Sequence, residues 1–220
     1  MNSLVEENYL KALFSLSNDK GEVSVNELSK RLEIKMPTVT SMMKKLALKK
    51  LVRYEKYKPI QLTVEGKQRA ILIVRKHRLT EMFLAEVMGF GWEEVHDIAE
   101  QIEHVDSPIF FKRMDELLGH PSFDPHGSPI PDNNGNIQEK QYRALSECKK
   151  GDKVKFMAVS NSSEGLLVFL NSKKLQLDSM IEVLSVEAFD GSLSISYSKG
   201  QKVTLSKIVG DKILVMDKDK

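Results

Sequence analysis

The sequence predicts a mainly α-helical protein with a smaller β part towards its C-terminus. Apolar residues recur at helical spacing from residue 4 to about residue 118, with one hairpin pattern between residues 51 and 63. From about residue 152 the pattern changes to short alternating strands with glycine between them. A chain of 220 residues has room for two or three small domains. We therefore expect a helical N-terminal domain with a hairpin, an all-helical middle domain and a small β-barrel.

Two capping boxes mark the first two helices. Ser3 followed by Glu6 opens a helix over residues 4–17, and Ser24 followed by Glu27 opens a short second helix. In such a box the serine side chain and the glutamate side chain each accept a backbone N–H that the helix leaves unpaired. Both helix starts are therefore predicted from local chemistry alone.

A third helix is predicted to begin at Pro37, after a tight turn at residues 33–36. Proline suits the first helical position because its missing N–H would have no partner there. The apolar stripe of this helix consists of Val39, Met42, Met43 and Leu46. Three helices with a short turn between the last two indicate a helix-turn-helix. The alternating segments 51–55 and 60–63 then predict a hairpin, or wing.

The middle of the chain is predicted to be helical, beginning with a long helix over 64–88 that Thr63 caps. Helices over 92–104 and 108–118 follow, and then an irregular loop over 119–136 that is rich in proline and glycine. The predicted C-terminal strands are Val154–Val159, Ile181–Val186, Leu193–Tyr197, Lys202–Leu205 and Ile213–Met216. Their length and spacing favour a small, partly open barrel of the SH3 type.

Charge is distributed unevenly along the chain, although the net charge is only +2. Residues 1–76 contain 16 Lys and Arg against 8 Asp and Glu, residues 77–148 contain 5 against 14, and residues 149–220 contain 12 against 9. A basic first segment suits a polyanion, and an acidic middle segment suits cations. Both segments could instead be ordinary solvated faces.

Several classes of protein do not fit the sequence. No apolar run approaches the roughly 20 residues of a membrane span, and acidic residues stand where a signal peptide would be basic. Cys148 is the only cysteine, so a disulfide framework and a thiolate zinc cage are excluded within one chain. We expect a cytoplasmic protein that does not contact a membrane.

The face of the third helix opposite its apolar stripe carries hydroxyl and lysine side chains. Short hydroxyl side chains near a helix N-terminus can contact base edges, and lysines further along reach phosphates. The candidate DNA-binding residues are Pro37, Thr38, Thr40, Ser41, Lys44 and Lys45 on this helix and Lys56 in the wing. We expect double-stranded DNA as the partner. The alternative is a three-helix bundle with a solvated lysine face.

Ligand-type side chains cluster in the acidic middle segment. On the predicted helix over 92–104, four of them fall within an arc of about 100°: His96, Glu100, Glu103 and His104. His77 and Glu81 form an i, i+4 pair on the preceding helix, and Asn8 is a weaker candidate on the first helix. Imidazole and carboxylate without thiolate favour Mn(II), Fe(II), Zn(II) or Co(II). The alternative is structural histidines beside a solvated row of glutamates.

Taken together, these residues resemble the diphtheria toxin repressor family of iron- and manganese-dependent regulators, including its manganese transport regulators. The N-terminal motifs that carry the resemblance are Glu7-Asn8-Tyr9-Leu10, Pro37-Thr38-Val39-Thr40 and Leu62-Thr63-x-x-Gly66. The later motifs are Arg75-Lys76-His77-Arg78-Leu79-x-Glu81, Glu94-Val95-His96-Asp97, Glu103-His104-Val105 and the loop from Gly119-His120-Pro121 to Gly127-x-Pro129-Ile130-Pro131. The resemblance covers most of the chain.

The resemblance implies two metal positions. The effector site would use Asn8, Glu100, Glu103 and His104, and the ancillary site would use His77, Glu81 and His96. In three-domain relatives the C-terminal domain adds ancillary ligands, for which the nearest candidates here are Asn161 and Glu164. Glu100 stands where iron-sensing relatives carry cysteine, which favours Mn(II) over Fe(II). Lys11 stands where a two-domain manganese regulator has a bridging glutamate.

The resemblance also implies the domain organisation. The predicted domains are a winged helix-turn-helix over 1–64, an all-helical dimerisation and metal-binding domain over 65–136, a linker over 137–151 and an SH3-like (FeoA-type) domain over 152–220. The apolar face of residues 92–118 is the predicted dimer surface, with Trp92, Ile109, Phe110 and Leu117 as anchors.

We therefore expect a homodimeric, metal-dependent repressor that binds a palindromic operator and controls metal-homeostasis genes. The effector would be Mn(II), with Fe(II) as the alternative and Zn(II) or Co(II) able to bind in vitro. Two other functions stay open: a winged-helix regulator of a non-metal ligand, and a metal-dependent hydrolase. No glycine-rich phosphate loop or nucleophile motif supports the hydrolase, so we expect neither enzymatic activity nor a small-molecule substrate.

Overall fold

The protein is described by a computed structural model that covers residues 3–138, 141–160, 162–198 and 200–217. The chain forms two compact units. The first unit consists of Met1–His77, Glu100–Lys112 and Pro131–Ile137, and the second of Arg78–Ala99, Arg113–Ile130 and Gln138–Lys220. A hydrophobic cluster of buried residues lies in each unit.

The first unit begins with the three predicted helices. They are α1 (Leu4–Leu16), α2 (Val25–Leu32) and α3 (Met36–Leu48). Both predicted capping boxes are present: Ser3 Oγ accepts the Glu6 N–H at 3.4 Å, and Ser24 Oγ accepts the Glu27 N–H at 3.1 Å. Helix α3 begins one residue earlier than predicted, so Pro37 is its second residue and still lies where a missing N–H costs nothing.

The wing is a three-stranded antiparallel sheet rather than a two-stranded hairpin. Its strands are β1 (Glu22–Val23), β2 (Val52–Arg53) and β3 (Ile60–Leu62), in the order β1-β3-β2. Strands β2 and β3 are shorter than the predicted segments 51–55 and 60–63, and β1 was not predicted from the sequence. Two residues are too few to produce a recognisable alternation. Val23 pairs with Ile60, and both side chains are buried.

The core of the first unit is formed by the apolar stripes that the sequence predicted. Val39, Met43 and Leu46 of α3 are fully buried, and Tyr9 and Leu10 of α1 lie in the same cluster. Burying each of these side chains contributes about 1.5–3 kcal/mol. This packing leaves the opposite face of α3 at the surface.

Three further helices follow the wing: α4 (Val64–Glu86), α5 (Val95–Ile102) and α6 (Pro108–Leu117). Thr63 caps α4 as predicted, because its Oγ1 accepts the Gly66 N–H at 3.0 Å. A Cβ atom at position 66 would collide with the carbonyl of Leu51, so only glycine fits there.

Helix α5 is shorter than the predicted helix over 92–104. Residues before it form a turn in which the Gly91 N–H donates to the Glu94 carboxylate at 2.7 Å. Glu103 and His104 lie in a turn directly after α5 rather than on the helix. Their predicted place on one helical face is therefore wrong.

The loop over 119–136 is irregular, as predicted, and hydrogen bonds fix part of it. Phe123 and Pro129 form an isolated antiparallel bridge, and Asp124 Oδ1 accepts the backbone N–H groups of His126 and Ser128, each at 2.9 Å. These bonds hold the Asp124 and His126 side chains in a tight turn within the second unit.

The C-terminal part of the second unit contains β4 (Arg143–Ala144), a 3-10 turn (Leu145–Glu147), β5 (Lys153–Val159), α7 (Glu164–Ser172), β6 (Met180–Val186), β7 (Leu193–Tyr197), β8 (Gln201–Leu205), α8 (Lys207–Gly210) and β9 (Ile213–Asp217). The strands form one antiparallel sheet in the order β4-β9-β5-β6-β7-β8. Within the described ranges β8 and β4 do not pair, so the predicted barrel is an open sheet.

The sequence did not predict β4, α7 or α8. Strand β4 and the 3-10 turn lie inside the segment 137–151 that we predicted as a linker. Leu145 and Cys148 from that segment are buried in the core of the second unit. The predicted domain boundaries stay a prediction. No helix in the described part of the chain has the length and apolar character of a membrane span.

Candidate metal centre and nucleic-acid interface

The surface face of α3 carries the residues that we predicted to contact DNA. Five of them are exposed and Thr40 is half-buried. The exposed residues are Pro37, Thr38, Ser41, Lys44 and Lys45. The Ser41 hydroxyl donates to the Pro37 carbonyl at 3.0 Å, which leaves its oxygen available as an acceptor.

A groove of about 740 Å³ runs between α3 and the wing. Thr40 and Lys44 line it from α3, and Lys56 and Tyr57 line it from the turn between β2 and β3. Tyr57 is 92% exposed, and the Lys56 ammonium lies 4.8 Å from the centre of its ring. The groove thus combines cations, a hydroxyl and an aromatic ring, which are side chains that DNA-binding surfaces use.

Helices α1 and α3 are joined by ion pairs between one buried glutamate and two exposed lysines. The Glu6 carboxylate is fully buried and lies 3.0 Å from the Lys45 ammonium and 2.8 Å from that of Lys49. Burial by itself would raise the pKa of Glu6, but hydrogen bonds from Lys49 and Lys45 outweigh it and hold the pKa at about 2. Glu6 therefore stays charged and neutralises part of the basic face of α3.

A first group of ligand-type side chains surrounds Glu103 in the first unit. The Glu103 side chain is 0% exposed, and His77 Nδ1 lies 2.6 Å from its Oε2 atom. Glu100, Glu103 and His77 each offer a ligand atom within 4.8 Å of the others. Chain segments that are far apart in sequence are thus brought together at one carboxylate.

The Lys11 ammonium group also belongs to this group. Its Nζ atom lies 2.5 Å from Glu100 Oε1 and 2.8 Å from a carboxylate oxygen of Glu103. The two glutamates therefore share one lysine from α1. Sequence reasoning assigned no contact to Lys11.

The remaining side chains of this group fit a divalent cation. The buried Oδ1 atom of Asn8 accepts no hydrogen bond from any described residue. His104 Nδ1 lies 2.7 Å from a Glu7 carboxylate oxygen, and its Nε2 lies 3.6 Å from Glu103 Oε1. A carboxylate that accepts one imidazole N–H leaves the other nitrogen as a free ligand, which is the usual arrangement around a metal-binding histidine. The donor set is thus amide oxygen, carboxylate and imidazole.

A second group lies in the second unit around Glu81. Glu81, Asp124 and His126 are all buried, and their ligand atoms lie within 4.8 Å of one another. His96 Nδ1 lies 3.1 Å from Glu81 Oε1, and His126 Nδ1 lies 3.6 Å from Glu81 Oε2. The Nε2 atom of His126 lies 2.7 Å from the Trp92 carbonyl, so Nε2 carries the proton and Nδ1 faces the carboxylates.

The electrostatics of the second group also fit a cation. Burial, with the neighbouring charge of Glu81, raises the pKa of Asp124 to about 6. Burial disfavours the His126 imidazolium, yet the hydrogen bond and charge of Glu81 and the charge of Asp124 raise its pKa. Arg78 Nε lies 3.7 Å from Asp124 Oδ2, and a divalent cation bound among these side chains would add further positive charge to the two buried carboxylates.

The predicted site residues are thus divided between these two groups. Glu100 and Glu103 come together in the first group, with His104 beside them, and Glu81 and His96 come together in the second. His77 contacts Glu103 in the first unit. Its predicted place in a site with Glu81 and His96 stays a prediction.

The sequence analysis missed Asp124 and His126. Their signal was an Asp-x-His pair in the proline- and glycine-rich loop, which we assigned to irregular structure. Of the C-terminal candidates, Asn161 lies outside the described residues, and Glu164 is the first residue of α7. Trp92 donates from Nε1 to Asn171 Oδ1 at 2.8 Å and stacks on His126 within the second unit, and its role as a dimer anchor stays a prediction.

The fold and these residues define a winged helix-turn-helix protein with two groups of side chains that could hold a metal ion. Two family profiles match the chain. The profile described as "Iron dependent repressor, N-terminal DNA binding domain" matches residues 2–60, and that described as "Iron dependent repressor, metal binding and dimerisation domain" matches residues 63–132.

The proteins similar to this chain include an iron-dependent and a manganese-dependent repressor. The iron-dependent repressor IdeR of Mycobacterium leprae is 36% identical over 133 residues, which are 60% of this chain and 58% of that relative. The chain therefore spans less than two thirds of the length of this curated relative. The structure of a manganese-dependent transcriptional repressor in complex with manganese is 33% identical with a TM-score of 0.88, covering 96% of this chain and 99% of that one. ScaR with bound Cd2+ is 32% identical with a TM-score of 0.81 and the same coverage.

The chain belongs to the iron-dependent repressor family. The predicted family and fold class are thereby confirmed.

Proposed function

We propose that this chain is a cytoplasmic, metal-dependent DNA-binding repressor that senses Mn(II), with Fe(II) as the alternative effector, and controls metal-homeostasis genes. The observation that carries the proposal is the buried Glu103 carboxylate, which gathers residues of α1, α4 and the turn after α5 in one unit. The relatives are named as transcriptional repressors, which supports a regulator rather than an enzyme.

Two sets of residues would hold metal in this proposal. Asn8, Glu100, Glu103 and His104 would form one position, and Glu81, His96 and Asp124 with His126 would form the other. A bound divalent cation would supply the positive charge that crowded carboxylates need. Oxygen and imidazole donors without thiolate favour Mn(II), and Cys148 is buried in the core of the C-terminal part.

The chain's own residues would couple the first group to DNA. Asn8 belongs to α1, and two residues earlier on the same helix Glu6 contacts Lys45 and Lys49 at the end of α3. The position of α1 would therefore influence α3. A homodimer would present two α3 helices, which need a separation of about 34–36 Å or a multiple of it to enter successive major grooves of a palindromic operator.

The test is metal-dependent binding to a duplex selected for this protein. Duplexes are selected from a random library with Mn(II)-loaded protein, and binding is then followed by fluorescence anisotropy with Mn(II) or with chelator. We expect chelation and Glu103→Ala each to weaken binding about 5–150-fold, the usual range of an allosteric coupling.

The control is Glu187→Ala, which removes an exposed carboxylate in the C-terminal part. It should bind the duplex as the wild type does. Equal binding by chelated and loaded wild-type protein would refute the proposed switch, and enrichment of no duplex at all would refute the DNA partner.

A further inference from the structure

The Lys11 ammonium group lies between two carboxylates that the proposed function assigns to metal. Its distances are 2.5 Å to Glu100 Oε1 and 2.8 Å to a Glu103 oxygen. The lysine side chain is 16% exposed and that of Glu103 is 0% exposed. This is a partly buried ion pair with two acceptors, so solvent screens it much less than a surface pair.

Two carboxylates that share a buried position repel each other unless a cation lies between them. In the described structure Lys11 supplies this cation from α1, three residues after Asn8. A divalent metal that used both Glu100 and Glu103 would need the same oxygen atoms. An ammonium group and a metal ion would also repel each other at that distance.

We propose that Lys11 is the resident counter-ion of the Glu100–Glu103 pair, and that metal gains both carboxylates only when the Lys11 ammonium leaves them. The inference rests on the proposed function, because it takes Glu100 and Glu103 as metal ligands. Lys11 then raises the metal concentration at which the site fills. It also keeps α1 attached to residues 100–103 in the metal-free protein.

The apparent affinity of a site equals its intrinsic affinity multiplied by the fraction of molecules in which the site is free to bind. Removing the competing ammonium should therefore strengthen metal binding. The first experiment compares Lys11→Met with Lys20→Met, which removes the same charge from an exposed position of the first unit. Full-length, chelator-treated proteins are titrated with Mn(II) by calorimetry, and their thermal unfolding is recorded in chelator and in Mn(II).

We expect Lys11→Met to bind Mn(II) about tenfold or more tightly than the wild type and Lys20→Met. In chelator it should unfold at a lower temperature than both, because the buried Glu103 and the half-buried Glu100 lose their counter-ion, and Mn(II) should raise that temperature by more than in the wild type. Equal Mn(II) affinity in all three proteins would overturn the proposal.

The second experiment uses wild-type protein and does not depend on how a variant folds. Lysine amines are labelled with acetic anhydride in chelator and in saturating Mn(II), and the labelling of each lysine is measured by mass spectrometry. Lys11 should be labelled faster in Mn(II), because its amine leaves the carboxylates, while labelling of Lys20 should not change.

The outcomes separate the two proposals. Wild-type protein that binds Mn(II) without a change in Lys11 labelling would overturn the role of Lys11 and leave the metal-sensing function standing. Wild-type protein that binds no Mn(II), while Lys11→Met also binds none, would overturn both. Binding that appears only in Lys11→Met would support the resident counter-ion and refute Mn(II) as the effector of the natural chain.

Discussion

Two buried glutamates of the first unit each have lysine partners from another part of the chain. Glu6 and Glu103 are both fully buried, and each is contacted by lysine side chains. A buried carboxylate without a partner costs several kcal/mol, so each glutamate requires the cations around it. Glu6 belongs to α1, and Glu103 contacts Lys11 of the same helix, so α1 connects the lysines at the end of α3 with the candidate metal ligands.

Glu6 provides a prediction at this scale. Replacing it by glutamine should lower the free energy of unfolding at pH 7 by about 1–3 kcal/mol, because charge-assisted hydrogen bonds to Lys45 and Lys49 are lost. The pKa of Glu6 is lowered to about 2, so its contribution is present above the ordinary value of 4.5 and is lost as pH falls towards 2. The difference between wild type and Glu6→Gln should therefore shrink over that range.

Urea denaturation at several pH values measures this difference. Glu55→Gln is the matched control, since Glu55 pairs with Lys58 at an exposed position where such a pair contributes about 0–1 kcal/mol. A gap between wild type and Glu6→Gln that stays constant from pH 7 to pH 3 would argue against the lowered pKa.

At the scale of elements, α3 and the wing form one surface, and the loop over 119–136 forms another. Helix α3 and the turn between β2 and β3 enclose a groove lined by Lys44 and Lys56. The loop presents Asp124 and His126 to Glu81. The backbone N–H groups of His126 and Ser128 donate to Asp124 Oδ1, and these bonds fix the position of the Asp124 side chain in the turn.

Lys44 and Lys56 should contact phosphates rather than bases. Lys44→Ala and Lys56→Ala should each weaken binding to selected and unrelated duplexes alike, and each should lower the salt dependence of binding by about one charge. Lys202→Ala in β8 removes an exposed lysine and should leave both quantities unchanged. Loss of binding to the selected duplex alone would contradict the phosphate assignment.

The second group should bind metal in a pH-dependent manner. The pKa of Asp124 is raised to about 6, so protons compete with metal below that pH and the affinity should fall by up to about tenfold per pH unit for one proton. Mn(II) titrations of the Glu103→Ala variant between pH 5 and 7.5 isolate this group.

Asp124→Asn in the same background should weaken Mn(II) binding at pH 7.5 by at least about tenfold. The Mn(II) affinity that remains in this variant should also depend much less on pH near pH 6. A pH profile that is the same with and without Asp124 would assign the titration to another residue.

At the scale of the whole molecule, a binding surface between two copies is expected on α6. Ile109, Phe110 and Leu117 are exposed apolar side chains of this helix. Exposed apolar side chains that share one element are typical of the core of a dimer interface. Their chain segment also lies within the profile of the metal-binding and dimerisation domain.

Phe110→Asp should therefore convert a dimer into a monomer and abolish tight binding to a palindromic duplex, since one copy reaches a single half-site. Light scattering after size-exclusion chromatography measures the mass. Phe189→Asp is the control, because Phe189 is a fully exposed aromatic residue of the C-terminal part. A Phe110→Asp protein that stays dimeric would move the interface to another surface.

The sequence by itself determined the features that depend on close neighbours along the chain. Both capping boxes, the apolar stripe of α3 and the cap at Thr63 needed only residues a few positions apart. The resemblance to the repressor family needed only short motifs and their order along the chain. The tertiary structure decided which charges meet. Lys11 lies 89 residues from Glu100, and Asp124 and His126 reach Glu81 only through the folded loop. Helical spacing in the sequence describes one element at a time. Which charges pair depends on how the elements pack against one another. A buried charge is poorly solvated, so its stability depends on the oppositely charged group nearest to it.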